Sequence, residues 1–290
     1  MGARMRGAEM PENPDLAGVS IAITRYAEAD AIIEQSLRHA IAQQGVRGEV
    51  IFIEQDEAST LAACDFPADG LELRIIRRRL AGLSAARNLA LDEARYPLVL
   101  FLDADALAAP NWASELARVL ADPRYAVAGS KVVPRWPGKA PIFTRASVLR
   151  DQFSLLDLGD GVQTYRRVVG AGFGADMAKL PGELRFDTGL GRRGGMLFGG
   201  EESDFCNRAA ELGFEIAYVG TTSVTHLIEP ERCRWRWILK RMVFAGHGRA
   251  MLGGSPSASG KAELYDWLLL PAYLPPYALG WAWGKLSRKA

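Results

Sequence analysis

The sequence predicts an α/β fold, a mostly parallel central sheet flanked by helices, with a helical, aromatic C-terminal extension. Three observations carry this. Short apolar, often β-branched runs alternate with helical stretches through the first half, the pattern of βαβ units. The chain has 290 residues, enough to bury a core without covalent or metal staples. A composition of 49% hydrophobic and 24% charged residues is that of a globular protein and argues against disorder.

Taken in order, residues 1–18 are polar, with Pro11 and Pro14 and no apolar h-region. They read as a flexible tail and not as a secretory signal. Arg6 stands where a myristoylation signal needs Ser or Thr. Val19–Thr24 (VSIAIT) reads as a buried strand. Asp30–Gln43 has helical spacing and Gly45 ends it. Glu49–Glu54 and Leu71–Ile76 are further strands, and Ser84–Ala94 is a helix with Ser84 as a candidate cap. Leu98–Leu102 (LVLFL) is a fourth strand that runs directly into Asp103-Ala104-Asp105. Asn111–Ala121 is a helix and Tyr125–Val133 a strand.

The second half is less regular. Pro134–Pro141 holds three prolines and reads as a loop, and Val169–Gly200 is glycine-rich. Glu201–Leu212 reads as a helix, Glu215–Val219 as a short strand and Arg232–Met251 as a basic, aromatic helix. Pro256 and its serine neighbours suggest a linker. Expected boundaries follow: a tail over 1–18, a main domain over 19–250 divided at 133/134, and an extension over 251–290.

Thirty-five basic residues face thirty-four acidic ones, a net charge of +1. That balance counts against a dedicated nucleic-acid binder. Cys64, Cys206 and Cys233 form no C-x-x-C pair, so neither a disulfide framework nor a zinc cluster is expected. They read as packing residues of a reducing compartment.

The chemistry starts at the aspartate pair. Open α/β sheets present ligands at the carboxyl ends of their strands. A carboxylate delivered there by LVLFL is costly to bury alone. A divalent cation holding a phosphate is one partner, since Mg²⁺ and Mn²⁺ take hard oxygen ligands. The bland alternative is a pair of aspartates capping the following loop. A haloacid-dehalogenase-type phosphatase would need Thr or Val where Leu107 stands. A dinucleotide fold would need glycines after the first strand, where Arg25-Tyr26-Ala27-Glu28 stands. Gly189-Leu190-Gly191-Arg192-Arg193-Gly194 matches such letters but follows no convincing strand.

Upstream lies Gly82-Leu83-Ser84-Ala85-Ala86-Arg87-Asn88, and about a hundred residues downstream Phe198-Gly199-Gly200-Glu201-Glu202-Ser203-Asp204-Phe205-Cys206-Asn207-Arg208. With the first strand and the D-x-D block, this order resembles the family 2 glycosyltransferases of the GT-A fold, over roughly 19–248. The resemblance implies a Rossmann-like sheet and a nucleotide-sugar donor. It places Thr24, Tyr26, Glu54, Arg87, Asp103, Ala104 and Asp105 around the nucleotide-sugar. Asp105 would hold Mn²⁺ or Mg²⁺, and Asp103 the ribose or the metal's water shell. Arg87 would lie in the nucleotide pocket or brace its loop.

The same resemblance puts the catalytic base at Glu202, where the family usually has Asp, and acceptor contacts at Glu201 and Asp204. Single displacement by the acceptor hydroxyl would invert the anomeric centre. Read without the resemblance, the acids simply suit a helix N-terminus. His226 is either structural or a second metal ligand. Glu231-Arg232-Cys233-Arg234-Trp235 resembles the Q-x-x-R-W block of processive members, with Glu for Gln. It suggests acceptor contacts from Arg234 and Trp235, or just an amphipathic basic helix. Glu54 and the following Gln55-Asp56-Glu57 depart from the family's usual Val-Asp-Asp-Gly-Ser.

Five of the seven tryptophans lie at or after Trp235. Trp267–Gly284 carries no charged residue, and Pro271, Pro275 and Pro276 argue against one straight spanning helix. The aromatic tail, flanked by Lys285, Arg288 and Lys289, suits a membrane interface or a packing role. The expected function is an inverting, metal-dependent glycosyltransferase acting on a glycan or lipid-linked acceptor in cell-surface polysaccharide or glycolipid synthesis. It would be cytoplasmic, at the inner face of the cell membrane. The alternatives are a non-catalytic relative that binds glycan or nucleotide, and a sugar nucleotidyltransferase.

Overall fold

The computed structural model describes the chain except residues 1–17, 26–27, 56–58, 60, 68, 193, 195, 253–263 and 288–290. The expected tail and the linker around Pro256 lie outside the described residues. The first half follows the expected alternation. Strand β1 (Val19–Thr24) leads into helix α1 (Asp30–Ile41), then β2 (Gly48–Glu54) and β3 (Glu72–Arg77). Helix α2 (Leu83–Glu93) precedes β4 (Leu98–Asp103) and the short β5 (Ala106–Ala108). Helix α3 (Trp112–Leu120), β6 (Tyr125–Arg135), the single turn α4 (Ser147–Arg150) and β7 (Val162–Thr164) follow. Next come β8 (Gly172–Asp176), α5 (Glu201–Glu211), β9 (Glu215–Leu227), α6 (Trp235–Met251) and α7 (Leu264–Ser287).

The nine strands form one sheet in the order β3-β2-β1-β4-β8-β6-β9-β5, with β7 paired to β9. Strands β3, β2, β1 and β4 are mutually parallel. Strand β8 pairs antiparallel with both β4 and β6, so β6 and its parallel neighbour β9 run in the same sense as β4. Alternate residues supply two apolar layers. Ile21, Ile23, Val50 and Phe52 pack under α1 and α3 with Leu37, Trp112 and Leu116. Ala22, Ile51, Ile53 and Phe101 pack on the other face with Ala86 of α2 and Phe205 of α5. Central strands covered on both faces read as unbroken apolar runs, which is why β1 and β4 were plain in the sequence.

Three expectations are corrected. The glycine-rich stretch holds β8 in mid-sheet, where a Cβ at Gly172 would come within 2.6 Å of Val224 and one at Gly174 within 2.3 Å of Leu100. Neighbouring side chains fill that space, so glycine is required there despite its low strand propensity. The short strand at Glu215 is thirteen residues long and includes His226. Ser84 does not cap α2: Gly82 takes that position, and the Ser84 hydroxyl donates to the Leu190 carbonyl at 2.8 Å. The expected helical extension is present: α7 is one continuous helix across its three prolines.

That helix packs on α6 at backbone distance. A Cβ at Gly246 would lie 2.0 Å from the Tyr277 carbonyl, and one at Gly280 1.7 Å from the Val243 carbonyl. Together with α4, the pair encloses a third apolar cluster around Phe143, Phe153, Met242 and Tyr273. The opposite side of α7 exposes Leu264, Trp267, Leu268, Leu279 and Leu286, each by more than 60%. No helix among the described residues is long and apolar enough to cross a membrane.

Candidate active site

Register brings the first motif residues to one sheet edge. Thr24 is aligned with Asp103 of β4 and with Ile53 of β2, so the carboxyl ends of three strands reach the same level. Asp103 is the last residue of β4, and its amide donates to the Ala171 carbonyl just before β8. The chain then turns through Ala104 and Asp105. The Asp105 carbonyl accepts from the Leu227 amide at 2.8 Å, which ties the turn to β9.

The link to the acidic helix is Arg87, only 2% exposed. Its Nη1 donates to Glu202 Oε1 at 2.9 Å and to Glu201 Oε1 at 3.3 Å. Its Nη2 donates to Asp103 Oδ1 at 3.2 Å and to the Gly170 carbonyl at 3.5 Å. The guanidinium sits over the rings of Phe173 and Phe186. It therefore braces three carboxyl groups from two separate segments of the chain. A Cβ at Gly170 would stand 2.2 Å from Glu202 Oε1 and 2.9 Å from Arg87 Nη2, so a side chain there would push this bridge aside.

The two glutamates differ electrostatically. Burial, reinforced by the Glu202 charge, raises Glu201, so that it stays protonated at neutral pH. Burial also opposes the charge of Glu202, but Arg87 and a backbone hydrogen bond hold it below the ordinary glutamate range. Glu202 is thus the ionised member, and its side chain borders the cleft. Glu201 is 3% exposed, with Oε2 buried and unpartnered.

Asp105 is held from the other side. Its Oδ1 lies 3.2 Å from His226 Nε2, and its Oδ2 accepts from Arg232 Nη2 at 2.9 Å. Burial disfavours its charge, but His226 and Arg232 keep it well below the carboxylate range. For Asp103 burial prevails over Arg87, and the neighbouring Asp105 adds to the upward shift.

His226 Nδ1 lies 2.8 Å from the Phe153 carbonyl, which can only accept, so this nitrogen carries the proton. Nε2 faces Asp105 Oδ1 at 3.2 Å, and Arg232 Nη1 approaches the same nitrogen at 3.3 Å. One hard oxygen and one imidazole nitrogen, with the ring oriented from behind, suit Mn²⁺. Among the described residues no group of three or more His, Cys, Asp or Glu side chains could hold an ion. A divalent ion at Asp105 and His226 would need its remaining ligands from substrate and water, and Arg232 lies against both donors.

Thr24, Asp103, Ala104, Asp105, Gly170, Glu201 and Glu202 all border one cleft. Arg167, Arg192 and Arg241 face it as well. Other expected residues lie elsewhere. Glu54 is 1% exposed and held by Arg25 at 3.1 Å. Asp204 points along α5 to Arg208, 2.9 Å away. Arg234 is a surface residue paired with Glu231, and Trp235 packs on Phe143, so neither reaches the cleft. Tyr26 is outside the described residues. Arg232, Arg192 and Arg241 were missed. The signal for Arg232 was its place in the same basic block as Arg234, where only tertiary contact decides which arginine turns inward.

Comparison with known proteins gives a consistent picture. The family described as "Glycosyl transferase family 2" matches residues 20–158. A glucosyl-dolichyl phosphate glucuronosyltransferase of Haloferax volcanii is 25% identical over 179 residues, 59% of this chain and 56% of that protein. The chain thus spans little more than half of that relative. Among solved structures, GalNAc-T7 with UDP, GalNAc and Mn²⁺ has a TM-score of 0.58 at 14% identity, over 90% of this chain and 59% of the other. The mannosyltransferase PcManGT of Pyrobaculum calidifontis, with GDP-Man and Mn²⁺, has a TM-score of 0.57 at 20% identity, over 96% and 78%.

Proposed function

We propose that the chain, whose residues 20–158 match the family 2 glycosyl transferases and whose fold is like that of GT-A enzymes, is a member that transfers a sugar, with inversion, from a nucleotide-sugar to a hydroxyl of a glycan or lipid-linked acceptor. The observation that carries this reading is the Arg87 bridge. One buried guanidinium bonds the end of the D-x-D strand and the ionised Glu202 together, so donor and acceptor groups share a cleft.

Glu202 takes the proton of the acceptor hydroxyl as its oxygen attacks the anomeric carbon. A bond forms between that oxygen and carbon, and the bond from carbon to the diphosphate breaks, its electron pair leaving with the nucleoside diphosphate. Attack opposite the leaving group inverts the centre. Asp105 and His226 would hold the divalent ion, which supplies Lewis-acid neutralisation of the leaving diphosphate. Arg192 faces the same aspartates and adds positive charge beside them. Thr24 and Ala104 border the donor side of the cleft. We take residues 19–250 as the catalytic unit and 251–290 as an extension.

A panel of UDP-, GDP- and dTDP-sugars with Mn²⁺ tests the activity by nucleotide release. One donor should release nucleotide above the metal-free blank. No release, with no metal-dependent binding of any nucleoside diphosphate, would leave a non-catalytic relative as the reading.

The exposed apolar side of α7 supports a further part of the proposal, peripheral contact with a membrane at the cytoplasmic face, consistent with surface glycan or glycolipid synthesis. In liposome flotation, Trp267→Asp combined with Leu268→Asp should lower recovery several-fold. Equal recovery of variant and parent would sink this part alone.

A further inference from the structure

A second cavity of about 510 Å³ adjoins the catalytic cleft. Both are bordered by Asp151, Arg167, Gly199, Gly200, Ser203 and Arg241, which form the waist between them. Beyond the waist one side of the cavity is apolar, with Met242 and Phe244 of α6 and Leu270, Tyr273, Leu274 and Tyr277 of α7. The lining also carries Arg166 and Arg167, Arg241 and Arg249 of α6, and the carboxylate of Asp151.

The charges at the waist are incompletely matched. Arg241 Nη1 donates to the Leu197 carbonyl at 2.9 Å, a neutral partner, and among the described residues no carboxylate makes an ion pair with it. Burial and then the charge of Arg192 press Arg241 down to about 10, against the partial support of Glu201 and Glu202 across the cleft, so it stays charged at neutral pH with no carboxylate in direct contact among the described residues. Arg167 reaches Asp151 only at 3.6 Å, and its Nε is buried without a partner. Planar guanidiniums in this state suit a phosphate, which accepts several N–H bonds at once.

The apolar side has a direction. Trp267, Leu270 and Leu274 follow one another at helical i, i+3 and i+4 spacing, on one side of α7. Leu270 and Leu274 border the cavity, whereas Trp267 is 65% and Leu274 46% exposed. The apolar wall thus continues from the waist onto the exposed surface of the helix. A hydrophilic glycan would leave this wall unused, and a simple hydrocarbon would bring no anion to Arg167 and Arg241.

We propose that this cavity is the subsite for a lipid-linked acceptor. Its phosphate or diphosphate is held by Arg167 and Arg241 at the waist, and its hydrocarbon chain runs over Met242, Leu270 and Leu274 to the outer side of α7. The inference rests on the transfer reaction proposed above, because the waist directs the acceptor's sugar hydroxyl towards Glu202. It narrows the acceptor from a glycan in general to an anionic amphiphile with one long chain.

The test uses the full chain without metal and follows calorimetric binding of farnesyl diphosphate, farnesol and inorganic pyrophosphate. Farnesyl diphosphate should bind at least about tenfold tighter than either half-molecule, since only it fills both sides. Leu274→Asp and Arg166→Gln, both at partly or fully exposed positions, should each weaken it several-fold, with melting temperatures recorded to confirm folding. Pyrophosphate binding as tightly as the farnesyl compound means a soluble-anion site and overturns the proposal. Farnesol binding as tightly means an apolar groove only, and overturns it too. So does farnesyl diphosphate binding that neither variant changes. Nucleoside diphosphate binding with Mn²⁺ is measured on the same preparation. Its loss, with farnesyl diphosphate binding retained, counts against the transferase reading and not the subsite. The converse counts against the subsite alone.

Discussion

Glu202→Gln should lower sugar transfer by about 10³-fold while the protein stays folded and still binds nucleoside diphosphate with Mn²⁺. The amide is nearly isosteric, and its oxygen can accept the Arg87 Nη1 hydrogen bond that Glu202 Oε1 now accepts at 2.9 Å. The brace to Asp103 is therefore kept, and what is lost is the proton acceptor. Glu201→Gln is the informative partner. Glu201 is raised and protonated, so the neutral amide imitates its present state, and the loss should be no more than about tenfold. Kinetics of both variants under saturating donor separate the two roles. Equal losses would refute the assignment of Glu202 as the base, and wild-type-like turnover of Glu202→Gln would do so outright.

The pH profile has a definite sign. Glu202 is held below the ordinary glutamate range, and only its ionised form accepts a proton. Its contribution is therefore complete at neutral pH and falls as pH drops through that lowered pKa. The acid limb in the wild type should lie below the ordinary glutamate value of about 4.3, provided the chain remains folded there. A limb near neutrality would point to a different titrating group.

Much of this site was legible because it is local in sequence. LVLFL followed by Asp-Ala-Asp marks a buried strand that ends in charge, and register does the rest, aligning Thr24 with Asp103. The acidic start of α5 was equally plain. What was not legible depends on contacts across long separations. Glu54 stands at the right strand end, but Arg25 occupies its carboxylate, so a strand-end acid alone did not identify a ligand contact. Arg232 and Arg234 are two residues apart in one basic block. The first is buried on Asp105 and the second lies at the surface, a choice made by tertiary packing. Strand β8 was hidden because glycine lowers strand propensity, whereas the space beside Val224 and Leu100 admits little else. In α7 the three prolines argued against a straight spanning helix, and the helix that forms is instead packed closely on α6.

Asp105 carries the other large effect. Asp105→Asn should abolish Mn²⁺-dependent donor binding and reduce transfer by at least about 10²-fold, in parallel with the loss that a chelator causes in the parent enzyme. The choice of Asn over Ala follows from Arg232. Removing the side chain would leave the buried guanidinium only Glu229, at 3.4 Å, among the carboxylates of the described residues, and breaking a buried pair costs about 3–5 kcal/mol. Asparagine keeps an oxygen for Arg232 Nη2 to donate to, so most of the fold's stability survives while the anionic ligand is gone. His226 remains oriented by the Phe153 carbonyl, and a lone imidazole holds the ion weakly. Electron paramagnetic resonance of Mn²⁺, titrated into parent and variant with nucleoside diphosphate present, reads binding apart from turnover. Chelated parent enzyme should recover on adding Mn²⁺, and the variant should not recover at the same concentration. If the variant binds Mn²⁺ like the parent, Asp105 is not a ligand. The Asp105–Arg232 pair would then be a structural ion pair at the edge of the cleft.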